Sequence, residues 1–278
     1  MPPAEQFVEE IQMLIAGFPG EVGVVLENLA SGERFAHQEA RPFYAASTIK
    51  LPMLCYALST GADLEQKIPI RPETVALGSG ILKDLSPGLA LPLRDILTLM
   101  IVVSDNTATN VTLDLFGHKE PFNRYYHGHG WLETHTAGML SLPEDRPDPK
   151  REKGDFSRTS ARDQAAILKS LWRGELLEPP ATQTALDILS RQQLTSFLRY
   201  IPADLDDLEE GTTPLKLYSK SGEIRCCRHD AGILAKGDQA AVITVLTKTE
   251  TDPRFYPDHP AILLIGRIAE ITYRNWLT

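Results

Sequence analysis

The chain has 278 residues, of which 42% are hydrophobic and 23% charged, with a formal net charge of −9. That length buries a substantial core as one large domain or two closely packed ones. The acidic balance excludes a surface built for nucleic acid or an anionic membrane, either of which needs clustered Lys and Arg.

The opening MPPAEQFVEEIQMLIAGF has no basic n-region and no sustained apolar h-region. The expected location is therefore cytoplasmic, or periplasmic or secreted if an export signal has been removed. Residues 5–17 place Phe7, Ile11, Leu14 and Ile15 at helical spacing. EVGVVLENL is a β-branched run, and ASGERFAH adds a turn and a second strand, so the pair reads as a hairpin. From 47 to about 210 the pattern is helical, with loops at GSG, SPG and LPEDRPDPKREKGD. ARDQAAILKSLWRG and ATQTALDILSRQQLTSFLRY each read as one amphipathic helix. An acidic stretch, DLDDLEEGTT, precedes three strands, LKLYSKSG, AGILAK and AAVITVLTK, and a final helix, PAILLIGRIAEITYRNWL. No apolar run approaches the roughly 18 residues of a membrane span.

This order predicts an α/β fold. One antiparallel sheet is assembled from both ends of the chain and covered by helices, beside an all-helical lobe. The expected division is a discontinuous α/β domain, 1–46 with 213–278, and a mainly helical domain, 47–212. The active site is expected in the cleft between them.

Three short patterns carry the chemistry. In YAASTIKLPML, Ser47 and Lys50 stand at i and i+3, so a helix starting at the serine brings amine and hydroxyl to one face. They read as a nucleophile and its base, or as a helix cap beside a surface lysine. Helix N-terminal N–H groups favour a developing oxyanion. Ser104-Asp105-Asn106 separates two helical runs. It reads as a helix cap, or as a proton relay at Ser104 with Asn106 donating to a substrate carbonyl. Lys220-Ser221-Gly222 ends a strand. It reads as a strand end and turn, or as a cation and hydroxyl gripping an anionic substrate. In the latter reading the glycine admits the ligand to the backbone, and the N–H of Glu223 is a second oxyanion donor. The three follow in order, separated by 57 and 116 positions.

Taken together, Ser-x-x-Lys, Ser-Asp-Asn and Lys-Ser-Gly resemble the motifs of the class A β-lactamase and penicillin-binding protein superfamily. LPLRDILTLMIVVSDNTATNVTLDLFG is similar to that family's second-motif helix pair. GSGIL, RTSARD and RHDAGIL resemble the segments flanking its motifs. The resemblance implies a serine hydrolase that forms an acyl-enzyme on Ser47 and hydrolyses β-lactam amides, with Lys50 as base and Ser104 as relay. Asn106, Lys220, Ser221, Gly222 and Glu223 would bind substrate. Alternatives within the same chemistry are a penicillin-binding, D-alanyl peptidase-like or esterase protein with slow deacylation, or a non-turnover β-lactam sensor. The implied partner is a small molecule, a β-lactam or a D-alanyl peptide or ester, with no cofactor.

Two departures from the family pattern stand out. Its omega-loop Glu-x-x-Leu-Asn is absent, which leaves Glu144 as the candidate deacylation base, with Asp145, Asp148 and Glu152 competing. Its arginine after the third motif falls at Ala231 by alignment through AGIL, so Arg225 or Arg228 is expected to substitute. His127, His129 and His135 lack carboxylates at recognised ligand offsets, so no metal is expected. The three cysteines, two of them adjacent at 226 and 227, are expected to be reduced thiols.

Overall fold

A computed structural model describes residues 4–201, 214–249 and 252–278. The acidic stretch at 205–212 and the domain boundary drawn at 212/213 lie outside the described residues.

The chain opens with α1 (Glu5–Ala16), followed by β1 (Glu21–Asn28), β2 (Arg34–His37) and the two-residue β3 (Phe43–Tyr44). Next come α2 (Lys50–Ser59), β4 (Lys67–Pro69), β5 (Ala90–Pro92), α3 (Leu93–Val102), α4 (Asn106–Leu115) and α5 (Lys119–Gly128). β6 (Arg158–Thr159), α6 (Ala161–Trp172) and α7 (Pro179–Ser190) lead to β7 (Leu215–Ile224), β8 (Cys227–Lys236) and β9 (Gln239–Lys248). The last element is α8 (Pro260–Trp276). The main sheet runs β2-β1-β9-β8-β7 with every neighbouring pair antiparallel. Its strands come from both ends of the chain, as the element order predicts.

Both faces of this sheet are buried, which is why its strands read as nearly continuous apolar runs. Along β9, Ala241, Ile243 and Val245 pack into one cluster with Phe7 and Ile11 of α1 and Ile265 and Ile268 of α8. The alternate residues Val242 and Leu246 belong to the second cluster, with Met53 and Leu54 of α2 and Ile167 and Leu168 of α6. The period of two sends successive side chains to opposite faces. Phe7 and Trp276, stacked at 4.8 Å between ring centroids, tie the two terminal helices together. At about 25 cal/mol per Å² of apolar surface, covering both faces is the main stabilising term. α2 runs through the second cluster and is buried on nearly every side, so the turn that starts it is held from all directions.

The structure departs from the sequence reading in the lobe expected to be all-helical, which also holds the short strands β4, β5 and β6, and in one helix. The run from 181 to 200 is not a single helix: α7 stops at Ser190, and a short 3-10 turn follows at Phe197–Arg199. Buried groups elsewhere recruit the intervening backbone. Gln193 N–H donates to Val102 O (3.1 Å), while Thr195 Oγ and Ser196 N–H both donate to the Asp230 carboxylate at 2.8 Å. A buried carboxylate left without donors is costly, and its demand outweighs helix propensity here.

Candidate active site

Ser47 lies in a 3-10 turn, Ala46–Ile49, that runs directly into α2. The turn is entered through Ala46 at φ +46°, a left-handed conformation that costs an L-residue about 1–2 kcal/mol. It is tied from outside. Thr48 Oγ donates to Ala45 O (2.6 Å), and Ala45 N–H donates to Ser157 O (2.8 Å). Tyr44 O accepts from His229 Nε2 at 2.7 Å. His229 Nδ1 accepts from Thr247 N–H (3.0 Å), so the ring is neutral with its proton on Nε2. Burial holds its pKa down at about 4.

Gly222 on β7 faces this turn. A Cβ there would lie 2.9 Å from the backbone nitrogens of Ser47 and Thr48, and 3.1 Å from Ala46 Cβ. Only a residue without a side chain lets the strand approach the serine so closely.

The α3–α4 reversal supplies the next group. Asp105 is the N-cap of α4, accepting from Ala108 N–H (2.9 Å), and it also accepts from Ile81 and Leu82 N–H at 2.6 and 2.9 Å. The capping reading of this tripeptide therefore holds for Asp105. Ser104, at φ +54°, and Asn106 turn instead toward Lys50.

Lys50 is wholly buried. Its Nζ contacts Ser104 O at 2.7 Å, Asn106 Oδ1 at 2.9 Å and Ser104 Oγ at 3.1 Å. No hydrogen bond joins it to Ser47 among the described residues. Two of its partners can only accept, whereas the Ser104 hydroxyl can accept or donate. A charged amine donates to all three; a neutral amine donates to the two carbonyl-type oxygens and accepts from Ser104 Oγ–H. Lys50 can thus gain or lose one proton along the Ser104 contact without breaking a bond. Burial depresses its pKa well below 10.5, reinforced by the nearby Lys220 charge and opposed by Asp105.

Lys220 is also fully buried and donates to Ser221 O at 2.7 Å. Burial brings its pKa down to about 7, against the opposing pull of Asp230 and Glu223. Asp230 lies opposite Ser221 in the β7–β8 ladder. Burial pushes its carboxyl up to about 7, and its Oδ1 has no hydrogen-bond partner among the described residues.

These elements enclose a cavity of about 830 Å³, lined by Ser47, Ser104, Asn106, Ser221, Gly222 and Glu223 among others. The structure therefore gathers Ser47, Ser104, Asn106, Ser221, Gly222 and Glu223 around one space. Lys50 stands behind Ser104 and Asn106, and Lys220 behind Ser221.

Two predicted residues are not brought into this group. Glu144 is exposed and does not line the cavity. Its loop instead turns inward at Asp148, which meets buried His118 at 3.1 Å and accepts from Met139 N–H at 2.8 Å. Arg228 is buried behind the cavity wall, its guanidinium donating to the backbone carbonyls of Ile224, Cys227 and Arg254. Held there by those carbonyls, its guanidinium does not line the cavity. Arg225 is exposed and lines the cavity.

The sequence reading assigned no role to Ser79, whose Oγ donates to Ser104 O at 2.8 Å, or to the cavity-lining Ser141, Phe156 and Phe255. Only GSG gave a local signal, since Gly80 at φ +101° leaves no room for a Cβ against Asp105. Among the described residues no three His, Cys, Asp or Glu side chains are placed to hold a metal, and no helix is long and apolar enough to cross a membrane.

A sheet sewn from both chain ends, a serine at the head of a buried helix and two buried lysines on separate elements define a serine β-lactamase and transpeptidase type of fold. The chain belongs to the Beta-lactamase enzyme family, whose profile matches residues 6–276. A β-lactamase structure from Sphaerobacter thermophilus superposes with a TM-score of 0.80 at 26% identity, covering 96% of this chain and 95% of the other. PBP-A superposes with a TM-score of 0.80 at 28% identity, covering 99% and 97%. In sequence, β-lactamase L2 of Stenotrophomonas maltophilia is 28% identical over 189 residues, 64% of this chain and 56% of the length of L2. A Rhodobacter capsulatus β-lactamase is 22% identical over 284 residues, 98% of this chain and 90% of its own length.

Proposed function

We propose that the protein is an acyl-transferring serine enzyme of class A type that opens β-lactam amides by forming an acyl-enzyme on Ser47 and releases the product slowly. The arrangement of Lys50 carries this reading: a fully buried, pKa-depressed amine bonded to Ser104 and Asn106 at the edge of the cavity that Ser47 lines.

In the neutral form Lys50 is the base. It accepts the Ser47 proton as Oγ attacks the lactam carbonyl, after a small closing movement of the two side chains, since catalytic hydrogen bonds tighten on substrate binding. The backbone N–H groups of Ser47 and Glu223 receive the oxyanion, a contribution of about 2.7–4 kcal/mol per donor. The proton then passes from Lys50 through Ser104 Oγ to the departing nitrogen. Lys220 in its protonated form and Ser221 hold the substrate carboxylate, and Asn106 orients the acyl side.

Slow release follows from the wall formed by residues 138–157. Its cavity-lining members are Leu140, Ser141, Arg151, Phe156 and Ser157, and none is a carboxylate. Water reaching the ester meets no general base there, and a missing base costs about 10²- to 10⁴-fold in rate. A Leu-to-Glu mutant of PBP-A has been captured as an acyl-enzyme complex with penicillin G, which supports the acylation step rather than its rate of release.

Incubation with a fluorescent penicillin and, separately, a chromogenic cephalosporin tests the proposal. One label per chain and slow cephalosporin turnover are expected, both abolished by Ser47→Ala. Failure to react with either reagent, or a signal that survives Ser47→Ala, would sink it.

A further inference from the structure

Large apolar side chains that remain exposed are concentrated at the cavity. Among the described residues there are eleven, and five of them, Tyr44, Phe156, Leu194, Ile224 and Phe255, line this one space. They come from five separate stretches of chain: β3, the approach to β6, the segment after α7, the end of β7 and the β9–α8 connection. Apolar surface gathered from such distant positions and left facing solvent marks a binding site.

The rings are held in place. Phe156 meets Tyr44 edge-on at 5.3 Å, and the Arg151 guanidinium lies 5.6 Å from the Phe156 centroid. Arg151 is itself fixed by two bonds to Asp155 O, at 3.1 and 3.0 Å. Phe255 lies over the Arg228 guanidinium at 4.2 Å. Buried Arg228 is clamped by the carbonyls of Ile224, Cys227 and Arg254, so it acts as a rigid platform that joins the β7–β8 turn to the segment bearing Phe255. Rings fixed before binding lose little freedom on meeting a ligand, and an aromatic ligand gains from both faces and edges.

We infer that Tyr44, Phe156 and Phe255 form an aryl subsite, which selects acyl donors carrying an aromatic group in addition to the carboxylate held by Lys220 and Ser221. The inference rests on the acyl-transfer reading above for the identity of the donor, but not for the binding of the ring. Small acyl donors such as acetylated amino acids lack the group that the subsite contacts. An aromatic contact of this kind contributes about three- to tenfold in binding, so two rings acting together give on the order of tenfold or more.

The test uses two matched pairs of compounds that differ only by a phenyl ring. Benzylpenicillin is compared with 6-acetamidopenicillanic acid in second-order acylation rate, and phenylacetylglycine with acetylglycine in equilibrium binding, where nothing is acylated. In the wild-type protein both ratios should favour the phenyl compound by about tenfold. They should fall toward 1 in Phe156→Ala and Phe255→Ala, both at exposed positions, and persist in Leu132→Ala, an exposed apolar side chain outside the cavity. Ratios near 1 in the wild type, or ratios unmoved by either Phe variant, would overturn the subsite. Acylation without phenyl preference removes the subsite and leaves the acyl-transfer reading intact. Absence of acylation, with a phenylacetylglycine preference that disappears in Phe156→Ala, removes acyl transfer and leaves the subsite standing.

Discussion

Replacing Gly222 by alanine separates damage to the oxyanion site from damage to the fold. The added Cβ would stand 2.9 Å from the nitrogens of Ser47 and Thr48, whereas ordinary non-bonded contacts lie at about 3.5–4.0 Å. The strand and the turn must therefore part by roughly half an ångström or more. Gly222 has no positive φ, so the cost is one of contact alone. Overpacking of this kind costs about 1–3 kcal/mol of stability. The displacement, however, falls on the Ser47 N–H, and a misplaced oxyanion donor costs about 10²- to 10³-fold in rate. Gly222→Ala should thus lose about two orders of magnitude in the rate of labelling by a fluorescent penicillin. Its urea midpoint should correspond to a loss of no more than about 3 kcal/mol. Labelling within threefold of wild type, at comparable stability, would show that the closeness of β7 to the turn has no part in the chemistry.

Asp105→Ala should destabilise by at least about 2 kcal/mol in urea unfolding, because it removes the α4 cap and strands the Ile81 and Leu82 N–H groups. Glu144→Gln should leave the decay of the acyl-enzyme unchanged within twofold, since this exposed side chain does not line the cavity; a slower decay would restore it as the deacylation base. Asp230→Asn removes a charge that holds the Lys220 pKa up, so the alkaline limb of the acylation rate should move to lower pH. An unmoved limb would show that Lys220 does not set it. Stability should itself depend on pH through Lys220, which titrates at about 7 when folded against 10.5 ordinarily. Between those values the unfolded chain binds the extra proton, so stability rises with pH from about 7 to about 9, above which the buried Cys55 thiol, pushed up from 9.0 to about 12, acts in the opposite direction. Lys50, depressed in the same direction, adds to the rise. Urea midpoints measured between pH 7 and about 9 should rise; a flat or falling series there would contradict the burial of a neutral Lys220.

The order of strands and helices was enough to read the two-ended sheet, because its buried faces make unmistakable apolar runs. Ser47 at a helix start and Ser104 at a reversal stand where local residues encode those features, whereas Ser221, expected at a strand end, lies inside β7, which stays paired with β8 as far as Ile224. Glu144 and Arg228 misled for a shared reason. Position along the chain does not reveal which way a loop turns, and that is decided by partners remote in sequence. His118 and Met139 draw the loop inward at Asp148 rather than at Glu144. The Arg254 carbonyl helps hold Arg228 behind the wall. The break after α7 escaped detection similarly, because the carboxylate that demands it lies on β8. Phe156 and Phe255 carry no local signal, and only the fold brings them to one cavity.

Intact-mass and peptide-mapping mass spectrometry after brief exposure to benzylpenicillin shows whether Ser47 is the nucleophile. One adduct of the whole penicillin should form per chain, map to the peptide containing Ser47, be absent from Ser47→Ala, and persist well beyond the time in which it formed. An adduct on another residue, or none at all, would contradict the account.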